Sequence, residues 1–295
     1  MVSFVDESQH GPAPELSWGR HFLMCPPNYF DVSYSINFWM DPAVQVDRDR
    51  ALQQWNRLVD TLRAAGAVVD EMPAQQGLPD IVFTANAGIV DGTTCWPARM
   101  RHPQRQPEIA HLLRWLTRNS WNVADPPVAV QEGAGDALPF AGTLVAGYGL
   151  RSSLEAYQDL AERAGWAVTA LELADPRYYH IDLAFCPLDG MTALIVPNAF
   201  TPEGRDKLTR LVPDPVLATP EEGAMFCANS IVVDRTVIMP SCTPRLGRLL
   251  ERRGFEVVVC DVSEFLKAGG GCRCLTLALD VSLTGGIPTI VEVAA

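Results

Sequence analysis

A glycine-rich segment near residue 270 carries the residue types and spacing best suited to covalent chemistry. Three glycines, residues 269–271, precede Cys272 and Cys274, and the apolar residues Leu275 and Leu277 follow. Glycine adopts backbone conformations closed to other residues, so a tight turn here can present a thiol to a ligand. On a strand, the two cysteines would point the same way. The simpler interpretation is a turn with two inert buried thiols, because free cysteine often behaves as a small hydrophobic residue.

A histidine and three carboxylates form a second group of candidates, suited to acid–base chemistry. His180 and Asp182 precede an apolar strand, and on an extended backbone they would share one face, which favours an acid–base pair. Glu132 and Asp136 follow a predicted strand over residues 128–130 and flank small residues that leave room for a ligand. A structural histidine and an ordinary acidic turn are the simpler interpretations.

Further polar residues lie at the predicted joints between structural units. Asp80 and Asn86 bracket a short apolar segment, for which a strand ending in a turn is the simple interpretation. Arg105 and Arg151 lie in polar segments after predicted hairpins, where most arginines are solvated. In a radial arrangement of units, such joints converge at one end of a central channel. We therefore treat these four residues as candidates for ligand binding.

Composition and charge limit the classes of function. The 295-residue chain has a net charge of −12, which disfavours nucleic acid and anionic membranes as partners. No apolar run approaches the length of a bilayer span, and the N-terminus lacks the pattern of a secretory signal. The eight irregularly spaced cysteines therefore predict reduced thiols in the cytoplasm. The CxC spacing of Cys272 and Cys274, with no second Cys/His pair nearby, predicts no metal site.

One structural unit recurs about five times along the chain and predicts the architecture. Its clearest copy spans residues 228–261 and has the order strand, turn, strand, helix, strand. A spacing of roughly 35–55 residues is typical of stacked or radial modules, so we expect a closed ring with a central channel. A doubly wound open sheet is the competing architecture, but no glycine-rich phosphate loop supports a nucleotide site of that kind. The predicted helices span residues 47–65, 109–115, 153–164, 201–211 and 243–253, and the strands that follow them span residues 67–69, 128–130, 167–169 and 255–259.

Together these motifs resemble those of the guanidino-group-modifying superfamily, which includes arginine deiminases, dimethylargininases, arginine dihydrolases and amidinotransferases. The similarity runs from residues 23–27 to residues 274–277, and the order and separation of the short motifs make it specific. The resemblance implies a five-bladed, pseudo-fivefold α/β propeller (the pentein fold), in agreement with the five units. We expect one catalytic domain over residues 1–295, with a flexible segment over residues 1–17; the oligomeric state is left open, a homo-oligomer included.

The resemblance also implies roles for the candidate residues. Cys274 would be the nucleophile, because the reactive cysteine of the family directly precedes a pair such as Leu275 and Thr276. His180 would be the general acid and base, with Glu132 as its carboxylate partner. Substrate contacts are implied for Asp182, Asp80 and Asn86 at the guanidine, for Arg105 and Arg151 at the α-carboxylate, and for Asn37. We add Asp136 as a further ligand contact from its place beside Glu132.

In these roles, the resemblance implies a cysteine-dependent amidinohydrolase of arginine or a close analogue, with a covalent amidino–cysteine intermediate and no cofactor or metal. Asn86 and its neighbours favour the arginine dihydrolase branch, which yields ornithine, ammonia and carbon dioxide, because dimethylargininases and deiminases usually have an acid there. The alternatives are a dimethylargininase or deiminase yielding citrulline, an amidinotransferase, and a non-catalytic guanidine-binding protein. Phe38 stands where that branch usually has proline, so we expect it to reshape the wall beside Asn37.

Overall fold

The computed structural model describes residues 15–283, and these residues form five three-stranded sheets of one topology. In each sheet, the middle strand pairs antiparallel with the strand that enters the sheet. It pairs parallel with the strand that returns after a helix. The repeated unit confirms the predicted five-bladed α/β propeller, and the doubly wound open sheet is wrong.

The strands fall into five groups along the chain. The first sheet consists of β1 (His21–Met24), β2 (Val68–Glu71) and β15 (Leu277–Ala278), and the second of β3 (Gly88–Asp91), β4 (Thr94–Pro97) and β5 (Asn122–Val123). The third consists of β6 (Ala137–Phe140), β7 (Thr143–Tyr148) and β8 (Val168–Glu172), and the fourth of β9 (Phe185–Pro187), β10 (Thr192–Ile195) and β11 (Asp214–Leu217). The fifth consists of β12 (Ile231–Val233), β13 (Thr236–Met239) and β14 (Glu256–Val259).

The helices lie between the middle and returning strands, with two short additions. They are α1 (Arg48–Ala64), α2 (Glu108–Arg118), α3 (Leu154–Ala164), α4 (Pro202–Leu211), α5 (Pro220–Ala224), α6 (Pro244–Glu251) and α7 (Ser263–Leu266). Four of the five helices that connect a middle strand to a returning strand begin after a residue whose side chain accepts a hydrogen bond from the first turn, which satisfies a backbone N–H that has no partner within the helix. These residues are Asp47, Ser153, Thr201 and Thr243. The five predicted crossover helices are confirmed, with boundaries that differ by a few residues.

The first sheet joins the two ends of the described chain. Strand β15 pairs antiparallel with β1, with Phe22 opposite Ala278 and Leu23 opposite Leu277. All four side chains are buried. Because this sheet takes its entering strand from the far end of the chain, the glycine-rich segment before β15 is brought next to the N-terminal part of the fold.

The predicted strand over residues 128–130 is wrong. Residues 128–130 are irregular, and the side chain of Val128 is 61% exposed. The returning strand of this blade is β5, Asn122–Val123, which pairs with β4 through Thr94 and Cys95. Valine is common in strands, so Val128 and Val130 favoured the prediction, but the residues that pair with β4 lie earlier in the chain. Glu132 therefore follows a loop, tied to the blade by a bridge between Arg99 and Gln131.

Short 3₁₀ turns, rather than extended backbone, precede four of the five entering strands. They span Thr84–Ala87, Gly133–Gly135, Ile181–Leu183 and Arg273–Leu275 before β3, β6, β9 and β15. A further 3₁₀ turn at Pro79–Val82 replaces the strand expected after Asp80. The expectation that His180 and Asp182 share the face of an extended segment is therefore wrong, and so is the strand geometry considered for the two cysteines. We call the four 3₁₀ turns that precede β3, β6, β9 and β15 the entry turns.

The N-terminal prediction falls mostly on residues 1–14, which lie outside the described residues. Leu16, within the predicted flexible segment, is buried against the hydrophobic core. No helix between residues 15 and 283 is long and apolar enough to cross a bilayer.

Candidate active site

Cys274 lies on the last entry turn, and its thiol has two side-chain partners. The amide Nδ2 of Asn229 donates to Sγ at 3.1 Å, and the thiol donates to Oδ2 of Asp182 at 3.4 Å. The cysteine is 2% exposed. Burial, and then the negative charge of Asp182, raise the pKa of the Cys274 thiol well above its usual value. The geometry thus holds a neutral thiol beside the carboxyl group of Asp182.

His180 begins the entry turn of the fourth blade and pairs with Glu132. The ring Nε2 lies 2.7 Å from Oε2 of Glu132, and the same oxygen accepts from Nη1 of Arg151 at 2.7 Å. The other oxygen accepts from the backbone N–H of Arg101 at 2.9 Å. Burial raises the pKa of Glu132, but the hydrogen bond from His180 and the charge of Arg151 outweigh it, so the pKa lies below its usual value. Glu132 is therefore an ionised, fully buried partner for the imidazole.

Asn86 determines which ring nitrogen of His180 carries the hydrogen. Nη1 of Arg105 donates to Oδ1 of Asn86 at 2.7 Å, so the donor end of the amide faces Nδ1 of His180 at 3.3 Å. An amide N–H requires an acceptor, so Nδ1 is unprotonated in the neutral ring and Nε2 donates to Glu132. Nδ1 is therefore the nitrogen that can gain and lose a proton, and it gives up the hydrogen bond from Asn86 when it does so.

Arg105 and Arg151 are buried and hold internal partners. Arg105 donates from Nη2 and Nε to the carboxylate of Glu108 at 2.9 and 3.0 Å. Burial by itself lowers the pKa of Arg105, but the charge and hydrogen bonds of Glu108 more than compensate and raise it above its usual value. Besides Glu132, Arg151 donates to the backbone carbonyl of Ile36 at 2.8 Å, and its guanidinium stacks 4.7 Å from the ring centre of Tyr179.

Two buried aspartates each have one carboxylate oxygen without a hydrogen-bond partner. Oδ2 of Asp80 accepts from the hydroxyl of Tyr34 at 2.9 Å, whereas Oδ1 of Asp80 and Oδ1 of Asp182 have no partner. Burial raises the pKa of Asp182 to about 7, against the opposing positive charge of Arg273. Burial likewise raises the pKa of Asp80, against the charge of Arg105. Unsatisfied buried acceptors are costly, so each of these two oxygens suits a donor group of a ligand.

The glycines before Cys274 allow close packing around the thiol. Gly269 has a left-handed φ of +84°, and its carbonyl accepts from the hydroxyl of Tyr179 at 2.9 Å. A Cβ on Gly270 would lie 2.4 Å from the ring of Phe83 and 3.1 Å from Cβ of Cys274. Tyr179 directly precedes His180, so it links the glycine segment to the histidine side of the site.

Asn37 and Asp136, two further predicted ligand contacts, form hydrogen bonds within the protein. Asn37 donates to the carbonyl of Ala268 at 3.0 Å and accepts from two backbone N–H groups of its own turn. Both oxygens of Asp136 are occupied, one by Ser152 and one by the N–H of Ile181 at 3.0 Å. The structure therefore places Asp136 behind the histidine turn. Phe38, expected beside Asn37, is 61% exposed.

The second cysteine does not share the surroundings of Cys274. The sulfur of Cys272 lies 3.9 Å from the carbonyl of Cys260 and is fully buried. All eight cysteines lie within the described residues and are free. No group of His, Cys, Asp and Glu between residues 15 and 283 has a geometry that could hold a metal ion.

Asn229 is the contact of Cys274 that the sequence prediction missed. It lies two residues before β12, as Asn86 lies two residues before β3, while Asp182 and Cys274 lie three residues before β9 and β15. An alignment of the repeated units on their entering strands would have found it. Side chains from the entry segments of all five blades, with Glu132 from the third, thus surround the Cys274 thiol and the His180 ring.

The fold, the family profile and the relatives place the chain in the guanidino-group-modifying superfamily. More narrowly, the chain belongs to the family described as N,N-dimethylarginine dimethylhydrolase, eukaryotic, whose sequence profile matches residues 28–281.

Two curated relatives show how the similarity is distributed. The chain is 40% identical over 262 residues to the bifunctional arginine dihydrolase/ornithine cyclodeaminase AgrE of Nostoc sp., covering 87% of this chain but 37% of the relative. It thus spans less than half the length of that relative. It is 36% identical over 281 residues to the N(G),N(G)-dimethylarginine dimethylaminohydrolase of Mycobacterium tuberculosis, covering 94% of this chain and 92% of the relative.

A solved structure is similar over nearly its whole length. The N-terminal domain of ArgZ, a cyanobacterial arginine dihydrolase crystallised with its product, matches with a TM-score of 0.85 and 37% identity. The match covers 88% of this chain and 97% of that domain. The propeller described here therefore corresponds to one complete domain of that protein.

Proposed function

We propose that the chain is a cysteine-dependent hydrolase of the guanidine group of arginine or a close analogue, most similar in activity to an arginine dihydrolase. The observation that carries the proposal is the buried thiol of Cys274 against Asp182, whose second oxygen has no partner. A guanidinium offers planar pairs of N–H donors that suit carboxylates. The unpartnered oxygen of Asp80 gives a second acceptor for the same cation.

Binding of the cation prepares the nucleophile. A guanidinium beside Asp182 lowers the pKa of both the carboxylate and the thiol, because its positive charge favours their ionised forms. Once the carboxylate oxygens accept from the substrate, the thiol loses the acceptor for its S–H and releases its proton to solvent. The carboxylates also fix the guanidinium plane and localise its charge, which makes the central carbon more electrophilic.

The first half-reaction forms the covalent intermediate. The thiolate attacks the guanidinium carbon and forms a C–S bond, giving a tetrahedral adduct. Protonated His180 donates its Nδ1 proton to a substrate nitrogen, and the C–N bond to that nitrogen breaks. The products of this step are a free amine or ammonia, an amidino group bound to Sγ, and a neutral imidazole.

The second half-reaction reuses His180 as a base. Nδ1 accepts a proton from a water molecule as the water oxygen attacks the amidino carbon, and the C–S bond then breaks to regenerate the thiolate. Glu132, held by Arg151, keeps the ring oriented through Nε2 in both steps. One such cycle on arginine yields citrulline and ammonia, and a second hydrolysis yields ornithine, carbon dioxide and another ammonia.

The leaving group separates two candidate activities. Asn86, whose amide faces Nδ1 of His180, favours the dihydrolase, because dimethylargininases and deiminases usually have an acid at this position. The amide places no negative charge beside the ring nitrogen. A dimethylargininase is the second candidate, supported by the family profile and by the mycobacterial relative of nearly equal length.

The free thiols support a reducing compartment such as the cytoplasm.

Product analysis tests the proposal. The purified chain is incubated separately with arginine, monomethylarginine and dimethylarginine, with and without an amine acceptor, and the amino acids and amines are quantified. Ornithine with two equivalents of ammonia from arginine supports the dihydrolase. Citrulline with methylamine or dimethylamine supports the second candidate, and a guanidinylated acceptor would assign a transferase. Cys274→Ser serves as the control, and turnover by this variant would refute the cysteine mechanism.

A further inference from the structure

We propose that Asn229 stabilises and positions the thiolate of Cys274, a role that rests on the proposed function of that cysteine as nucleophile. Asn229 is fully buried and contacts the reacting sulfur directly, with Nδ2 at 3.1 Å from Sγ. No other side-chain N–H donor to this sulfur is found among the described residues.

The orientation of the Asn229 amide is fixed by four hydrogen bonds. Its Oδ1 accepts from the backbone N–H of Gly271 at 2.9 Å and from that of Cys274 at 3.2 Å. Its Nδ2 donates to Sγ and to the carbonyl of Asp182 at 3.1 Å. A flipped amide would set donors against donors, so the N–H must face the sulfur.

Backbone hydrogen bonds of Asn229 also hold the turn that carries Cys274. Its carbonyl accepts from the N–H of Arg273 at 3.1 Å, and its own N–H donates to the carbonyl of Phe226 at 3.0 Å. Phe226 has a left-handed φ of +61° and packs against Trp39 at a ring-centre distance of 4.6 Å. A bulky residue in this conformation persists only when its surroundings hold it. The segment from Phe226 to Asn229 is therefore held in place by its own contacts, independently of the turn that carries Cys274.

The two partners of the thiol differ in what they do when the proton leaves. Asp182 accepts the S–H, so it favours the neutral thiol and becomes repulsive toward a thiolate. Asn229 donates to sulfur, and a donated hydrogen bond strengthens when its acceptor becomes an anion. When a guanidinium occupies Asp182, Asn229 remains as the fixed donor that retains the thiolate in position for attack.

Two substitutions separate the effect of the N–H that Asn229 donates to sulfur from the effect of the Asn229 oxygen that holds the turn. Asn229→Ala removes the donor and both acceptor contacts, whereas Asn229→Asp keeps an acceptor oxygen for Gly271 and Cys274 but loses the N–H to sulfur. Asn122, an exposed asparagine on β5, supplies the control Asn122→Ala. The rate of alkylation of Cys274 by iodoacetamide is measured from pH 7 to pH 10 by peptide mass spectrometry, with Cys274→Ser giving the background from other cysteines.

Loss of the donor should lower the thiolate fraction and slow alkylation of Cys274 about tenfold at each pH, the change that corresponds to one unit of pKa. Asn229→Asp should react more slowly still, because it adds a negative charge. In turnover, kcat should fall by about tenfold or more, with KM changed far less, and Asn229→Ala should recover part of its activity at alkaline pH.

Wild-type alkylation rates in both variants would overturn the proposal. Unfolding of both variants, seen by circular dichroism, would also overturn it by assigning Asn229 a purely architectural role. If the wild-type protein turns over none of the guanidino substrates, the proposed function fails, but the alkylation rates still decide the role of Asn229.

Discussion

The thiol of Cys274 donates a hydrogen bond to Oδ2 of Asp182 at 3.4 Å. Burial raises the pKa of both groups, so one proton lies between two groups that are both needed in their ionised forms. A cationic guanidinium can replace that proton as the partner of the carboxylate. Substrate binding and nucleophile activation are therefore coupled through the same pair.

Arginine binding should strengthen as the pH rises through the pKa of Asp182. The raised pKa of about 7 means that the free site binds a proton at pH 6, which a cationic ligand must displace. For a group of this pKa, the Kd should fall roughly tenfold between pH 6 and pH 8. Isothermal titration calorimetry of Cys274→Ser measures this without turnover. Equal Kd values at the two pH values would contradict it, and an added Asp182→Asn substitution should remove the pH dependence along with most of the affinity.

The two neighbouring cysteines should respond differently to substitution. Cys274→Ser should abolish turnover, because a hydroxyl at this position is a much weaker nucleophile than a thiolate. Cys272→Ser should retain most of the activity, since the sulfur of Cys272 faces the carbonyl of Cys260. Steady-state rates and covalent trapping of the amidino group identify the nucleophile. The reverse result would assign it to Cys272.

Arg105 should prove a structural as well as a functional residue. Its guanidinium forms a buried salt bridge with Glu108 at 2.9 Å and also orients Asn86. Arg105→Ala leaves a buried carboxylate without its partner and should lower the free energy of unfolding by about 3–5 kcal/mol. Urea denaturation measures the change, with the exposed Arg118→Ala as control. A rise in KM with unchanged stability would instead support the sequence prediction that Arg105 only holds the substrate carboxylate.

Gly270 should not tolerate a side chain. A Cβ there would lie 2.4 Å from the ring of Phe83, so Phe83 or the Cys274 turn must shift. Displacing the nucleophile by about 1 Å can cost about 100-fold in rate, which we expect for Gly270→Ala. Gly247 in α6 is the matched control, because its added Cβ meets nothing closer than 3.6 Å. Gly247→Ala should keep full activity and gain about 0.5–1 kcal/mol of stability from helix propensity.

Local sequence patterns were sufficient for the repeated unit and for most of its elements. The hairpin over β12 and β13, helix α6 and strand β14 follow from β-branched runs, a polar turn and helical spacing within about 35 residues. Residues 128–130 show the limit of such patterns. Their valines suit a strand, but the blade pairs β4 with Asn122–Val123 instead. Pairing partners are chosen by the whole sheet, which a local window does not contain.

The sequence by itself determined the residue types of the site and, through the repeat, that their joints would converge. Only the tertiary structure decided the contacts. Asn229 reaches Cys274 across 45 positions of the chain, and Asp182 reaches it across 92. Ring closure between β15 and β1 creates this proximity, and burial then changes what each group does. Arg105 and Arg151, which lie in polar segments where most arginines are solvated, become internal partners of Glu108 and Glu132, because a charge taken out of water must find its counter-charge inside the protein.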